Sequence, residues 1–366
     1  MNSQFFGSNL RTARLFNNLS LQELGERVGS SKQYLSRLES GVEAPSALLE
    51  QSLATHLAVV PDFFRFADPM PIADEQCHFR KQLTTKVALK QVARAKGEML
   101  KRLVSVLDAK LDLPKYSFIE AEPDSAEHIE SAAERSRSHW GLGLGPISNM
   151  TRVAENAGAV VLPLNGLASE IDAISFATHR PVIVTNADGR SACRTRFGLA
   201  HEVGHFCLHV GVQTGDKVSE SQANRFASAF LMPRRYFVIE CQKALRGTRF
   251  NWQAITDIKL RWGVSKAAIL YRGRQLGVFS DEQYRSGVIK LTRHSEAIQE
   301  AEDHLIPREQ AEVVSQGLAV LQETSGLSRS GIARLMYVTP KLVDDLLGVE
   351  PSSLNGDNVV SLRSQR

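Results

Sequence analysis

The residues best placed to do chemistry are two histidines and a glutamate in the run His201-Glu202-Val203-Gly204-His205. On a helix, residues four apart share a face, so both imidazoles can reach one metal ion while Glu202 addresses a water beside it. Zinc accepts imidazole nitrogen and carboxylate oxygen, and three protein ligands leave its fourth position open for water. The run therefore predicts a zinc site with His201 and His205 as ligands and Glu202 as the general base.

The residues around this run favour a metal ion over two histidines on a surface helix. The helix is apolar nearly all round, so we expect it to be buried. Buried polar groups without partners would cost roughly 1–3 kcal/mol each, and a metal ion removes that cost. The apolar residues are Phe197, Leu199, Ala200, Val203, Phe206, Cys207, Leu208 and Val210.

A third ligand is predicted at Glu220, in the first turn of the following helix, where Ser219 and Gln222 are expected to form a capping box. The alternative is that Glu220 is an acidic residue favoured there by the helix dipole alone. His209 is the rival ligand. Because it lies four residues after His205 on the same helix, we expect it to pack behind the site.

The elements that must position these residues are mostly helical. We expect helices over 192–210, 219–231, 235–246, 252–261 and 265–276, and helical segments again between 308 and 348. Three β-branched runs predict a small sheet, which makes the fold class mainly α with a small β-sheet, an α+β arrangement. The predicted strands are Ala159–Leu164, Ile171–Ala177 and Pro181–Thr185.

The first part of the chain predicts two short helices joined by a tight turn. Ser20 and Glu23 form a capping box that begins the first, and Gly29 ends it. Ser30 or Ser31 caps the second helix, which begins at Lys32 and runs to position 40. Such a pair is a helix-turn-helix unit.

Residues 79–115 form the most basic part of the chain, and their leucines recur at helical spacing up to Pro114. This pattern predicts a long amphipathic helix with a cationic outer face. Such a face could contact nucleic-acid phosphates, could simply be solvated, or could pack between domains.

The residue pattern of the first helix-turn-helix recurs weakly near the C-terminus. The repeat arises either because both units pack in the same way or by chance. The second copy carries Asp344 and Asp345 on its recognition-helix equivalent, and these would repel phosphate. We therefore expect a packing or partner-binding element there. The repeated positions are Ser328, Ile332, Ala333, Met336, Thr339, Val343 and Leu346.

Composition excludes several classes of protein. With 366 residues, 43% hydrophobic and 23% charged, the chain is globular and long enough for two or three domains. Its four cysteines form no C-x-x-C pair, which indicates reduced thiols rather than a disulfide framework. No apolar run reaches membrane-spanning length, so we expect a cytoplasmic protein without a membrane partner.

The chain from roughly Ile147 to Tyr284 resembles the ImmA/IrrE (DUF955) family of zinc metallopeptidases. Three blocks carry the resemblance: RTRFGLA, HEVGHFCLH and ESQANRFASAFLMP. The resemblance implies a zincin-like peptidase domain with His201, His205 and Glu220 as zinc ligands and Glu202 as the catalytic residue. Two further positions, Arg196 and Asn224, match recurrent family residues to which the sequence assigns no role.

Residues 1–66, with LSLQELGERVGSSKQYLSRLESG, resemble XRE/Cro-type helix-turn-helix repressors, although Gly25 stands where such sequences usually carry Ala. The resemblance implies binding to double-stranded operator DNA as a homodimer. A small helical protein-binding domain is the alternative. The implied contacts are Lys32, Gln33 and Ser36 to base edges, and Arg37 and Arg14 to phosphate.

These observations predict four segments: the helix-turn-helix domain at 1–66, a basic helical linker at 67–118, the peptidase domain at 119–285, and a C-terminal helical region with a disordered tail at 286–366. Two functions fit them. The chain is either a DNA-binding regulator whose zinc metallopeptidase cleaves a regulatory protein, such as a partner repressor, under stress. Or it is a transcription factor that uses the zinc domain as a non-catalytic sensor or scaffold.

Overall fold

The computed structural model describes residues 4–66, 71–73, 76–79, 87–164, 173–186 and 189–348. Within these ranges the fold is mainly helical around one small mixed sheet, which confirms the predicted α+β class. No helix of the described part is both long and apolar enough to cross a lipid bilayer.

The N-terminal unit consists of four short helices followed by a 3-10 turn at Pro61–Arg65. The predicted capping box at Ser20 and Glu23 is present, and Gly29 ends the second helix at a positive φ of 65°. Ser31 caps the third helix, so the predicted helix-turn-helix pair is confirmed. The helices are α1 (Gly7–Phe16), α2 (Leu21–Val28), α3 (Lys32–Glu39) and α4 (Ala47–His56).

The central sheet has four strands in the order β1-β3-β4-β2. Strands β2 and β4 are parallel, whereas β3 is antiparallel to both of its neighbours. Three strands match predicted ones within the described residues, and β1 lies in a segment where no strand was expected. The strands are β1 (Cys77–Phe79), β2 (Val160–Leu164), β3 (Ala173–Phe176) and β4 (Val182–Asn186).

The first face of the sheet packs against α5 (Val87–Asp108), the predicted basic helix. In β3, Ile174 and Phe176 belong to this core, together with the N-terminal helices and the last helices of the chain. Gly97 of α5 allows a close approach, because a Cβ there would lie 2.5 Å from the Phe176 ring. Helix α5 is therefore a structural layer between the sheet and the N-terminal unit.

The basic residues of α5 are partly buried rather than fully exposed, and two of them contact neighbouring residues. Arg102 donates to Asn9 at 3.1 Å and lies over the Phe63 ring at 4.4 Å, and Lys101 pairs with Glu98 at 2.8 Å. These contacts favour the interdomain-packing interpretation of this helix over a cationic face open to solvent.

The second face of the sheet packs on the helices that hold the candidate metal site, through residues such as Val161 and Ile183. A short hairpin, β5 (Leu245–Arg246) and β6 (Arg249–Phe250), lies among them. These helices are α6 (Ala126–His139), α7 (Met150–Asn156), α8 (Ala192–Leu208), α9 (Lys217–Leu231), α10 (Arg234–Lys243), α11 (Trp252–Trp262), α12 (Lys266–Gln275) and α13 (Asp281–Arg293).

The C-terminal helices return to the first face of the sheet. Val338, in the turn before the last helix, forms a β-bridge with Val59 of the N-terminal unit. The backbone N–H of Thr339 donates to Ala58 at 3.0 Å beside this bridge. The helices are α14 (Val313–Ser325), α15 (Arg329–Leu335) and α16 (Pro340–Leu347).

The contact between α5 and the sheet predicts a cost for enlarging Gly97. Gly97→Val places a branched side chain into the Phe176 ring, and overpacking of this kind destabilises a core by about 1–3 kcal/mol. Urea unfolding measures the change, with Gly145→Ala as control because a Cβ at position 145 meets no atom within 4 Å. Equal stability of the two variants would mean that α5 does not pack on β3.

Candidate functional site

Helix α8 brings the H-E-x-x-H residues into the interior of the second core. Ser191 caps its N-terminus, and the side chains of His201, Glu202 and His205 are at most 1% exposed. Gly204 allows α9 to approach, because a Cβ there would lie 3.1 Å from Phe226. The expected buried helix is confirmed over Ala192–Leu208, whereas Val210 lies beyond its end and is exposed.

Helix α9 supplies the third candidate ligand from its first turn, as predicted. Its start differs from the expectation, however, because Asp216 caps the helix by accepting from Val218 and Ser219. The predicted capping box at Ser219 is wrong, since the helix begins two residues before it. Glu220 still faces α8.

The three candidate ligands lie around one point. The Nε2 atoms of His201 and His205 are 3.1 Å apart. One carboxylate oxygen of Glu220 lies 3.4 Å from His201 Nε2 and the other lies 3.3 Å from His205 Nε2. One ligand atom from each residue falls within 4.8 Å of the others, a separation that suits ligands of a single ion.

A cation fits the chemistry of this donor set. Both carboxylate oxygens of Glu220 are buried and accept no hydrogen bond, which is costly for a charged group. Burial raises the pKa of the Glu220 carboxyl, but positive charge beside it, on protonated imidazoles or on a metal ion, lowers that pKa below its usual range. Burial also lowers the pKa of His205 to about 3, so its ring is neutral at neutral pH and can offer a lone pair.

Hydrogen bonds behind the ligands orient each imidazole. Asn224 Oδ1 lies 3.1 Å from His201 Nδ1, so this nitrogen donates and leaves Nε2 unprotonated toward the site. The structure thereby gives Asn224, a residue without a role at the level of sequence, a contact that orients a candidate ligand. Partners of this kind fix the tautomer of metal-binding histidines.

His205 is oriented by a longer chain of hydrogen bonds. Gln222 donates to the Pro123 carbonyl at 3.0 Å, so its Oε1 accepts from His209 Nε2 at 2.9 Å. The other nitrogen of His209 must then accept from His205 Nδ1, 2.9 Å away. His209 therefore lies behind His205, with both ring nitrogens in use, and is not part of the ligand cluster.

Ser175 of β3 holds the candidate catalytic carboxylate. Its hydroxyl donates to Glu202 Oε2 at 2.5 Å, and the serine is fully buried. Sequence reasoning missed this residue because only the tertiary fold brings it beside α8. Its place within a predicted strand was the only available signal.

Arg196 contacts other parts of the chain rather than the candidate metal site. Its guanidinium donates to the Ile147 carbonyl at 2.6 Å and forms a short ion pair with Glu309. Glu309 also accepts from the backbone N–H groups of Met150 and Thr151 at 2.9 and 2.7 Å. Arg196 thus ties α8 to the start of α7 and to the C-terminal part of the chain.

A cleft of about 650 Å³ begins beside Asn224 and follows the N-terminal half of α8. Arg194, Phe197 and Tyr271 line it. Neither Tyr236 nor His179 lines it, so neither side chain is placed to stabilise an oxyanion there. Tyr236 packs near Trp262, with ring centroids 6.0 Å apart, and His179 bonds Asp108 of α5.

The residues of α3 that are predicted to contact DNA share one exposed face of the N-terminal unit. Lys32, Gln33, Ser36 and Arg37 are all exposed on α3, at helical positions that lie side by side. Arg37 pairs with Glu43 at 3.1 Å while its side chain remains 56% exposed.

Arg14 differs from the expectation that it touches phosphate. Its side chain is 9% exposed, and two of its nitrogens donate to Glu39 at 2.6 and 2.9 Å. A third nitrogen donates to the Leu19 carbonyl at 2.7 Å. The phosphate assignment is therefore corrected, because this buried arginine holds the end of α3 against α1.

Comparison with known protein families gives two matches. Residues 10–63 match the family described as helix-turn-helix, and residues 154–273 match the family described as IrrE N-terminal-like domain, a peptidase family. No curated protein matches the chain. The first match covers the unit that presents α3, and the second covers α8, α9 and all three candidate ligands. The chain thus joins a helix-turn-helix segment of the XRE type to an IrrE N-terminal-like peptidase segment.

Proposed function

We propose that this chain is a DNA-binding transcriptional regulator whose zinc-dependent metallopeptidase domain cleaves a regulatory protein, such as a partner repressor, in response to stress. The observation that carries the proposal is the buried set of His201, His205 and Glu220 beside Glu202. A site that only binds metal needs no general base. Yet Glu202 is present and held by Ser175.

In peptide hydrolysis, three residues of the site would bind zinc and one would transfer protons. His201 Nε2, His205 Nε2 and the Glu220 carboxylate would hold zinc. A bound zinc ion supplies Lewis acidity, which lowers the pKa of water toward about 7 and polarises a peptide carbonyl. Glu202, fixed at Oε2 by Ser175, would accept the proton of the attacking water and later deliver it to the leaving amine.

The DNA-binding half of the proposal rests on the exposed face of α3. Its residues present two cations and two polar groups at the positions that a recognition helix uses in the major groove. We propose that the chain binds an operator as a homodimer in the cytoplasm, most simply at the promoter of its own gene. The boundaries proposed for the domains remain 1–66, 67–118, 119–285 and 286–366.

The proposed metal site predicts the zinc content of the chain. The purified chain should hold about one zinc ion, and His205→Ala or Glu220→Ala should each lose most of it, because each supplies one of three ligands. Asn224→Ala should keep a weaker site, by about 10–100-fold, since it only orients His201. Zinc analysis after dialysis checks this. Full occupancy in Glu220→Ala would remove that residue from the ligand set.

A substitution at Glu202 separates catalysis from metal binding. Glu202→Gln keeps the size of the side chain but cannot accept the proton, so cleavage of a cognate repressor should fall by about 10²-fold or more. Zinc content and operator binding should be unchanged. Cleavage is followed by gel electrophoresis with wild type in parallel.

The same variant tests the sensor alternative in cells. If the zinc domain is only a sensor, the target promoter should respond normally to stress in Glu202→Gln and fail to respond in His201→Ala. A lost response in both variants would contradict the sensor, and a normal response in Glu202→Gln would contradict the peptidase.

Operator binding distinguishes Arg14 from the residues of α3. Gln33→Ala should weaken operator binding by about 1–3 kcal/mol and leave random DNA unaffected, since it removes a base contact. Arg37→Ala should weaken both and reduce the salt slope by about one, as expected for a phosphate contact. Mobility shifts across a salt series measure both effects.

Arg14→Ala is the contrasting variant in the same experiment. It leaves Glu39 buried and unpaired, so it should lower the free energy of unfolding by about 3–5 kcal/mol. The salt slope of the protein that remains folded should not change. A stable Arg14→Ala protein with a reduced slope would restore Arg14 as a phosphate contact.

A further inference from the structure

Strand β3 is the strand nearest to the candidate catalytic residue. Ser175, at its centre, donates to Glu202, and Gly198 of α8 lies beside Ala173 at its start, where a Cβ would be 3.9 Å away. One edge of β3 is paired with β4. Its other edge would be open if β1 were absent.

An open strand edge of this kind binds extended peptides. Its unpaired N–H and C=O groups are a template for another strand, and main-chain hydrogen bonds give the affinity. Adjacent strands lie about 4.7–4.9 Å apart. A peptide paired with β3 would therefore pass directly beside the serine that holds Glu202.

In this structure the chain itself fills that position. Strand β1 pairs antiparallel with β3, in a register that sets His78 opposite Ser175. Gln76 extends the pairing, because its carbonyl accepts from the Ala177 N–H at 2.8 Å and its side-chain amide donates to the Ala177 carbonyl at 2.9 Å. The occupying strand is only three residues long.

The origin of β1 in the chain connects this pairing to the DNA-binding end. The strand belongs to the stretch that leads from the N-terminal unit, which ends near Arg65, to α5, which begins at Val87. It does not come from the part that matches the peptidase family, residues 154–273.

We propose that β1 is an internal occupant of the peptide-binding edge of β3, which an extended protein substrate must displace to reach the metal centre. The partner is thus a protein segment in extended conformation, recognised through its backbone. The proposal rests on the proposed peptidase function, since that function gives a peptide its reason to bind there.

A displacement experiment tests this in the full-length, zinc-loaded chain carrying Glu202→Gln, so that a bound peptide is not cut. Gln76 and Ala177 form a hydrogen-bonded pair, so His78 and Ser175, two residues further along, fall at the next hydrogen-bonded pair. His78→Pro removes the N–H that faces β3. His78→Ala keeps that N–H and is the matched control.

The probe is a fluorescein-labelled peptide with the sequence of residues 73–81 and Ser in place of Cys77. We expect it to bind the His78→Pro protein at least ten-fold more tightly than the parent, and the His78→Ala protein no better than the parent. The same peptide with Pro at the His78 position should not bind, because it lacks the pairing donor.

Amide exchange at Ala177 is the second measurement, and circular dichroism with zinc content establishes that the variant is folded. Exchange should be faster in His78→Pro and slow again when the peptide is added. A folded, zinc-loaded His78→Pro protein that gains no peptide binding would overturn the proposal, as would equal binding of the Pro-containing peptide. Failure to cleave any repressor would contradict only the proposed function, because the binding readout requires no cleavage.

Discussion

Ser175 donates its hydroxyl to Glu202 on one face of β3, while its neighbours Ile174 and Phe176 enter the core on the opposite face. This alternation is the constraint on which the rest of the structure depends, because successive side chains of a strand must point to opposite faces. A register shift of one residue would exchange the two sets. It would bring a large apolar side chain against Glu202 and bury a serine among the residues of α5. The same short strand therefore fixes both the position of the candidate base and the packing of the N-terminal unit.

The metal centre is built around groups that are costly without an ion. The carboxylate of Glu220 is buried beside two imidazoles, and its oxygens accept no hydrogen bond. Asn224 and His209 take up the outer nitrogens of the rings, so that the inner nitrogens face one another. A cation would turn this unfavourable cluster into a favourable one, and its binding free energy would then add to the stability of the packing between α8 and α9.

Local patterns predicted the helices well because caps and apolar periodicity are encoded within a few residues. The H-E-x-x-H helix, Glu220 and the exposed face of α3 could all be inferred in this way. One error was local, because Asp216 caps α9 ahead of Ser219. The other errors arose where distant parts of the chain decide the outcome. Arg14 is buried because it pairs with Glu39, which is twenty-five residues away in the chain. The role of Ser175 depends on a helix that begins only at Ala192. Strand β1 has only three residues, too few for an alternating pattern to be recognised.

The pattern that recurs near the C-terminus reflects the same helix packing in both units. Ser328 and Thr339 cap α15 and α16 as Ser20 and Ser31 cap α2 and α3. The turn between the helices closes with the same 2.9 Å hydrogen bond in both units, from Ser30 to Gly25 and from Val338 to Ala333.

The two units differ at one position of that turn. Gly29 has a φ of 65° in the first unit, and the equivalent Tyr337 has a φ of 59° in the second. A left-handed backbone costs a residue with a Cβ about 1–3 kcal/mol, so neighbouring contacts must hold it. The Tyr337 carbonyl accepts from Val60 at 3.0 Å, and its ring lies 5.9 Å from that of Phe66. The second unit is therefore strained at the place where it docks on the first. It packs against the N-terminal unit through this turn, as expected of a packing element, and its outer helix carries Asp344, paired with Arg329 at 3.2 Å, and the exposed Asp345.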